Sequence, residues 1–430
     1  MFRRVSIVVL AAVLIAVVGL YSMSSHSALA PVKQLGVRSF PEDQIVRGEV
    51  LAGAANCAIC HTGKSGQLFA GGVPFNTKFG VVYSTNITPD PTTGIGEWSE
   101  AAFARALREG VARDGSQLFP VFPYDHFTKV NDEDVKAMYA FIMTRPALVR
   151  EPESNQLAFP LNIRALQIGW KLLFFHPGVF QADTTQTSQW NRGSYLAEGL
   201  GHCSACHTPR NSFGAENVSA KYNGASIEGW FAPALNLNNS APLPWTSTEL
   251  YGYLRTGGTV FHGSAVGVMS DIVHNGLVKL SDEDLHAMAN YFAAINGSGD
   301  TVAESTKIIS ALNITSEHDA QATDPGAKIY RAACASCHYN QGLLHIERPE
   351  LALNNALTAP SPANFIQVVL HGIGRDEGLP ELMMPGYAAA LSDAEIADLA
   401  VYLRRTRTAQ PAWSGVEAAV AAIRTTGDGT

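Results

Sequence analysis

A chain of 430 residues, 46% of them hydrophobic, has material for roughly two to four ordinary domains and is not a disordered polypeptide. Its formal net charge of −8 excludes the basic footprint of a nucleic-acid binder. A mild acidic balance is compatible with docking onto a basic partner.

Residues 1–30 read as a signal peptide or a membrane anchor. Arg3 and Arg4 precede an apolar stretch from Val5 to about Met23, and the small residues Ala28 and Ala30 suit a signal-peptidase site. About 20 apolar residues can also span a bilayer, so cleavage and retention both stand. Either way the remainder is exported, with the two arginines on the cytoplasmic side.

All six cysteines fall into three Cys-x-x-Cys pairs, each followed at once by histidine: Cys57/Cys60 with His61, Cys203/Cys206 with His207, and Cys334/Cys337 with His338. No cysteine is left for a structural disulfide. Two thiols three positions apart on one helical turn reach the two vinyl groups of one porphyrin, and the adjacent imidazole points at its iron. This is the c-type haem attachment signature. A thioredoxin-like pair expects one copy on a βαβ pattern, and a zinc site does not explain why histidine always stands next. Three covalently bound haems c are therefore expected.

The copies lie 146 and 131 residues apart, which leaves each haem its own domain. The expected fold is all-α: three tandem cytochrome c domains at 38–165, 180–297 and 320–410, after the N-terminal helix, with a C-terminal tail at 411–430. Linkers are expected near 165–185 and 300–323. The run Val416–Arg424 suits a surface helix.

A repeat supports this division. Short helices led by Arg47-Gly48, Arg192-Gly193 and Pro325-Gly326 precede the three motifs. Downstream, Ser99, Thr246 and Ser361 each open a helix that ends eleven residues later in glycine, at Gly110, Gly257 and Gly372. A last helix follows Asn131–Asp134, Ser281–Asp284 and Ser392–Glu395, all resembling capping boxes, and then carries an aromatic at Tyr139, Tyr291 or Tyr402.

Twelve residues beyond the glycine, the second copy has Met269 and the third Met384, followed by Pro385. A thioether there would be the sixth iron ligand. Met383 is the rival to Met384, and an ordinary core methionine is the plain alternative. The first copy has Phe122, which cannot ligate iron. His126, four residues on, is the candidate instead, giving bis-histidine ligation with His61. A surface histidine beside a five-coordinate haem, or a distant Met138 or Met143, are the alternatives. The other histidines, among them His202, His262, His274 and His286, have no partner at metal or catalytic spacing and read as surface or core residues. Arg210, close behind the second motif, suits a haem propionate or solvent.

With these motifs in place, Ser84-Thr-Asn-Ile-Thr-Pro-Asp90, Thr93-Gly-Ile-Gly-Glu-Trp98 and the Phe-Pro-Tyr run at Phe122–Tyr124 resemble the three-haem cytochrome c subunits of bacterial membrane-bound dehydrogenases, from about residue 40 to 410. The resemblance implies an electron-transfer subunit on the periplasmic face of the cytoplasmic membrane. It would take electrons from a catalytic dehydrogenase subunit and pass them to ubiquinone. Relatives serving quinoprotein alcohol dehydrogenases and flavin-linked gluconate or sorbitol dehydrogenases usually carry Met-Pro-Tyr in the first domain. The Phe122–Phe127 run departs from that and resembles the branch accompanying molybdopterin and iron–sulfur aldehyde or nicotinate-type dehydrogenases. No dinucleotide fingerprint and no spare cysteine for an iron–sulfur cluster is present, so no catalytic residue is expected. A self-contained haem peroxidase and a soluble shuttle are the competing classes.

Overall fold

In a computed structural model of the chain, residues 26–32, 38–298, 323–338, 349–379 and 382–427 are described, with the isolated positions 19 and 306. Most of the segment read as signal peptide or anchor, and the expected linker at 300–323, lie outside the described residues. Among the described residues no helix is long and apolar enough to cross a membrane. Two compact units emerge. The first runs to Thr184 and includes Tyr195–His202 and Ser212–Ala215; the second holds Thr185–Ser194, Cys203–Asn211 and everything from Glu216 on.

The described residues are mostly helical, but three small antiparallel sheets depart from an all-α chain. Pro74–Thr77, Gly80–Tyr83 and Gln156–Leu157 form one; Ala225–Ile227 pairs with Trp230–Ala232, and Gly258–Thr259 with Gly263–Ser264. The middle hairpin turns on Glu228 and Gly229, both at positive φ (47° and 79°), as a type I′ turn requires.

The repeat has a physical basis. A leading helix crosses a closing helix so tightly that one glycine per copy is obligatory. A β-carbon on Gly48 would overlap the carbonyl of Ala137, one on Gly193 that of Ala287, and one on Gly326 that of Asp398. Four residues beyond each of those carbonyls stands the aromatic against which the glycine packs: Phe141, Tyr291 and Tyr402. The first copy's equivalent is thus Phe141 and not Tyr139, which instead donates its hydroxyl to the Trp98 carbonyl at 2.8 Å. Ion pairs brace the same crossings. Arg47 meets the fully buried Asp134 at 2.6 Å and Arg192 meets Asp284 at 2.7 Å; in the third copy the charges trade places, Arg405 meeting Asp324 at 2.8 Å. Alanine at Gly48 or Gly193 should overpack the crossing and lower stability by roughly 1–3 kcal/mol, despite alanine's better helix propensity. Thermal unfolding of the haem-loaded protein measures this, and an unchanged midpoint would refute the tight crossing.

The expected caps are found with two differences. Ser99 accepts from the Ala102 amide and Thr246 from the Glu249 amide, opening helices Glu100–Glu109 and Ser247–Thr256. Ser361 accepts from the Ala363 amide, but the helix Ala363–His371 has Pro362 at its cap position. Gly110, Gly257 and Gly372 all take positive φ. Of the closing helices, Asp132–Met143, Asp282–Ile295 and Asp393–Arg407, the last has a reciprocal capping box, between Ser392 and Glu395. Asp134 and Asp284 give their carboxylates to the arginines of the leading helices instead.

In the first unit, Ala52, Phe69, Ile95, Phe141, Ile142 and Met143 form a core. The expected linker contains a helix, Gln167–Phe174. It is pinned by the buried Lys171, which donates to the carbonyls of Glu109 and Gly110 and to Gln117 Oε1 at 2.5–3.0 Å. Burial pulls its ammonium down to about 8.

In the second unit, the third copy's core continues past residue 410. Val416 and Val420, on helix Val416–Gly427, are buried with Leu370, Ile396 and Leu403. Arg404 donates to the carbonyls of Leu357, Ala359 and Pro411 and lies over the Trp413 ring, holding the chain's turn into that helix. Residues 411–427 therefore complete the domain and are not a tail, because the apolar face at 416, 420 and 423 has a core to join. Val420→Asp should destabilise this domain by at least about 2 kcal/mol by burying an unpartnered polar group; a denaturant midpoint equal to wild type would show the helix to be dispensable.

Candidate haem sites

Each attachment motif lies on one helical turn: Cys57–His61, Ser204–His207 following Cys203, and Ala335–His338 following Cys334. No two of the six cysteines are joined in a disulfide, so all the thiols are available for thioether bonds. Cys57, Cys60, Cys203, Cys206 and Cys334 are half-buried, whereas Cys337 is exposed. In the first motif the turn is closed by the Cys60 amide, which donates to the Asn56 carbonyl at 3.2 Å. Burial pushes the Cys57 thiol up to about 12, with the neighbouring Cys60 adding to the rise. Burial likewise takes Cys206 and Cys334 up to about 11. Thiol–disulfide catalysts rely on the opposite shift. Among the described residues, no cysteine belongs to a group of three ligand atoms close enough to hold a metal.

The histidines share a second feature that motif spacing did not reveal. His61 Nδ1 lies 2.7 Å from the Thr85 carbonyl, His207 Nδ1 2.6 Å from that of Pro233, and His338 Nδ1 3.1 Å from that of Pro349. Burial holds all three rings below the usual histidine range, with the carbonyl contacts opposing it. A neutral imidazole donating Nδ1–H to a carbonyl has its Nε2 lone pair free and aimed, which is how histidine is fixed as a metal ligand. Two thiols on one turn beside such an imidazole fit a c-type haem.

Met384 is half-buried and pairs through its backbone with Ile373 at 2.9 and 3.1 Å, whereas Met383 is 61% exposed. Met269 is half-buried on the turn Val268–Asp271. It is reached through Gly267 at φ 54°, where a side chain would strike the Trp230 indole. His126 is buried on the turn Tyr124–Phe127, its Nδ1 3.0 Å from the Glu198 carbonyl. That repeats the arrangement at the three motif histidines. Phe122 packs on Phe127, and Met138 and Met143 are both buried, Met143 within the hydrophobic core.

Arg210 donates to the Ala205 carbonyl at 2.9 Å. His262 is buried and stacked on Trp245, and His286 is stacked on Tyr251, each with ring centroids 3.8 Å apart. His318 and His345 lie outside the described residues. His274 has a specific contact with residues over a hundred positions away, which its local sequence does not announce.

Repeated attachment turns with oriented histidines define a c-type cytochrome. Residues 45–146 match the cytochrome c family, and residues 321–403 match the family described as cytochrome c oxidase, cbb3-type, subunit III. Over 405 residues the chain is 42% identical to one of the subunits of nicotinate dehydrogenase from Pseudomonas putida, covering 93% of this chain and a third (33%) of that protein. It is 39% identical to the fructose dehydrogenase cytochrome subunit of Gluconobacter japonicus, covering 84% of this chain and 78% of that one. The alcohol dehydrogenase (quinone) cytochrome c subunit of Gluconacetobacter polyoxogenes is 32% identical, with 95% and 90% covered. The chain belongs to this family of dehydrogenase cytochrome c subunits.

Proposed function

We propose that the chain carries three haems c and relays electrons on the periplasmic face of the cytoplasmic membrane. The source would be a molybdopterin and iron–sulfur dehydrogenase subunit, with an aldehyde as its substrate, and the acceptor ubiquinone. The observation that carries the haem count is the threefold recurrence of an attachment turn whose histidine has its Nδ1 on a main-chain carbonyl. The tethering pairs would be Cys57 with Cys60, Cys203 with Cys206, and Cys334 with Cys337. The axial pairs would be His61 with His126, His207 with Met269, and His338 with Met384. Bound there, each iron supplies a one-electron ferric/ferrous couple.

The chain's own residues do the rest. The cysteines tether, the carbonyls of Thr85, Pro233 and Pro349 orient the imidazoles, and the cores of the units keep water from the irons. A thioether as sixth ligand raises the potential and a second imidazole leaves it lower, so the first site would be the lowest of the three. Phe122 in place of the methionine of alcohol- and gluconate-type relatives, together with the 42% identity to a nicotinate dehydrogenase subunit, supports the molybdopterin branch.

Mild-detergent co-purification from membranes, with mass spectrometry of the chain and cofactor analysis of whatever accompanies it, tests the proposal. Three added haem masses and co-eluting molybdenum are expected. Two added haems would overturn the count; pyrroloquinoline quinone or flavin in the partner would overturn the branch.

A further inference from the structure

The second unit contains both the Met269 and the Met384 segments, and they are joined. Gly378 lies between Ile373 and Met384, whose backbones are paired. Its amide donates to Ser270 Oγ at 3.2 Å, and its carbonyl is 2.7 Å from His274 Nε2. Ser270 follows Met269 directly and is buried. The next residue after Gly378, Leu379, is buried against Gly258, where a β-carbon would come within 2.6 Å of the leucine Cγ. A side chain on Gly257 would strike the Gly378 carbonyl, so the glycine that ends helix Ser247–Thr256 also makes room for the neighbouring domain. At a second point the backbone of Phe231 and the side chain of Asn364 exchange two hydrogen bonds, of 2.7 and 2.8 Å. Gln367 donates to the Gly229 carbonyl at 3.1 Å.

These contacts are directional, partly buried and made largely by main chain, so they fix a geometry and do not merely bring two surfaces together. We propose that they form a rigid junction that sets the distance between the second and third haem sites, with Ser270 and His274 as positioning residues for electron transfer between them. The proposal rests on the reading that Met269 and Met384 mark the sixth-ligand sides of those two sites. Electron tunnelling weakens steeply with separation, so a junction built at the methionine segments controls that step most directly. Neither Ser270 nor His274 is itself a ligand, and their removal is expected to leave both potentials in place.

The test uses the full haem-loaded chain carrying Ser270→Ala with His274→Ala, and separately Gly258→Val, which displaces Leu379. Three readouts are taken: amide hydrogen exchange over residues 373–379, the midpoint potentials, and the rate of electron equilibration between the two thioether-ligated haems after rapid photoreduction. Faster exchange and a several-fold slower equilibration at unchanged potentials, with both restored by His274→Gln on the Ser270→Ala background, are expected. Exchange and equilibration equal to wild type in both variants would overturn the junction. Met269→Leu and Met384→Leu separate the two ideas. If neither removes the far-red charge-transfer band of a thioether-bound ferric haem, the ligand reading fails, while hydrogen exchange and thermal unfolding of the second unit still decide whether the junction holds.

Discussion

Alanine at both Cys334 and Cys337 should subtract one haem from the purified protein, unfold the cytochrome domain that holds this motif and abolish electron delivery through it. One edge of the attachment turn packs on that domain's core, while Cys337 stays exposed. Cys334 and Ala335 pack against a core of Tyr330, Leu357, Phe365, Ile366, Ile396 and Tyr402. A domain of about a hundred residues has a small core relative to its surface, so a porphyrin lying against that turn is a large share of what it buries. Without the thioether bonds the haem would depend on axial ligation alone. Intact mass and limited proteolysis read the two effects separately. A variant that keeps every haem mass would disprove thioether attachment at this motif. One that loses a haem yet resists proteolysis over residues 323–427 would show the haem to be dispensable for the fold.

The features legible in the sequence are the ones encoded locally. Attachment turns, caps and the glycines that stop helices each depend on residues within one or two turns, so counting along the chain located them. The leading glycines and the closing aromatics are legible as a repeat, but their packing on one another is not, and the first copy's aromatic is Phe141. Counting to the nearest aromatic reaches Tyr139, whereas the geometry is counted from the cap and reaches Phe141. What stayed hidden is long-range. The carbonyls that orient His207 and His338 stand 26 and 11 residues downstream, at different spacings and with no shared side chain. His274 gains its meaning from Gly378, 104 residues away. The C-terminal helix shows an apolar spacing on its own, yet only the buried Val420 reveals that a core receives it.

The proposed first site should respond to two substitutions, because Phe122 stands at the repeat position that Met269 and Met384 occupy in the other two copies. In the wild type, His126→Ala should abolish a low-spin bis-imidazole signal and leave one haem open to small ligands. Adding Phe122→Met to that variant should replace the lost signal with a thioether charge-transfer band and raise that haem's potential, by on the order of 0.1 V given the range that axial ligands command. The physical case rests on the buried ring of His126, whose Nδ1 is engaged at 3.0 Å by the Glu198 carbonyl. Lys129, 3.2 Å from the Glu198 carboxylate, helps hold that residue in place. A ring so held is fixed in orientation in the same way as the motif histidines. If His126 is only a core residue, its removal lowers the unfolding temperature and leaves the spectrum as it was, and the bis-histidine assignment is lost. The rise with Phe122→Met would still occur in that case, since position 122 alone decides whether a thioether can reach the iron; the spectrum of the single His126→Ala variant therefore discriminates.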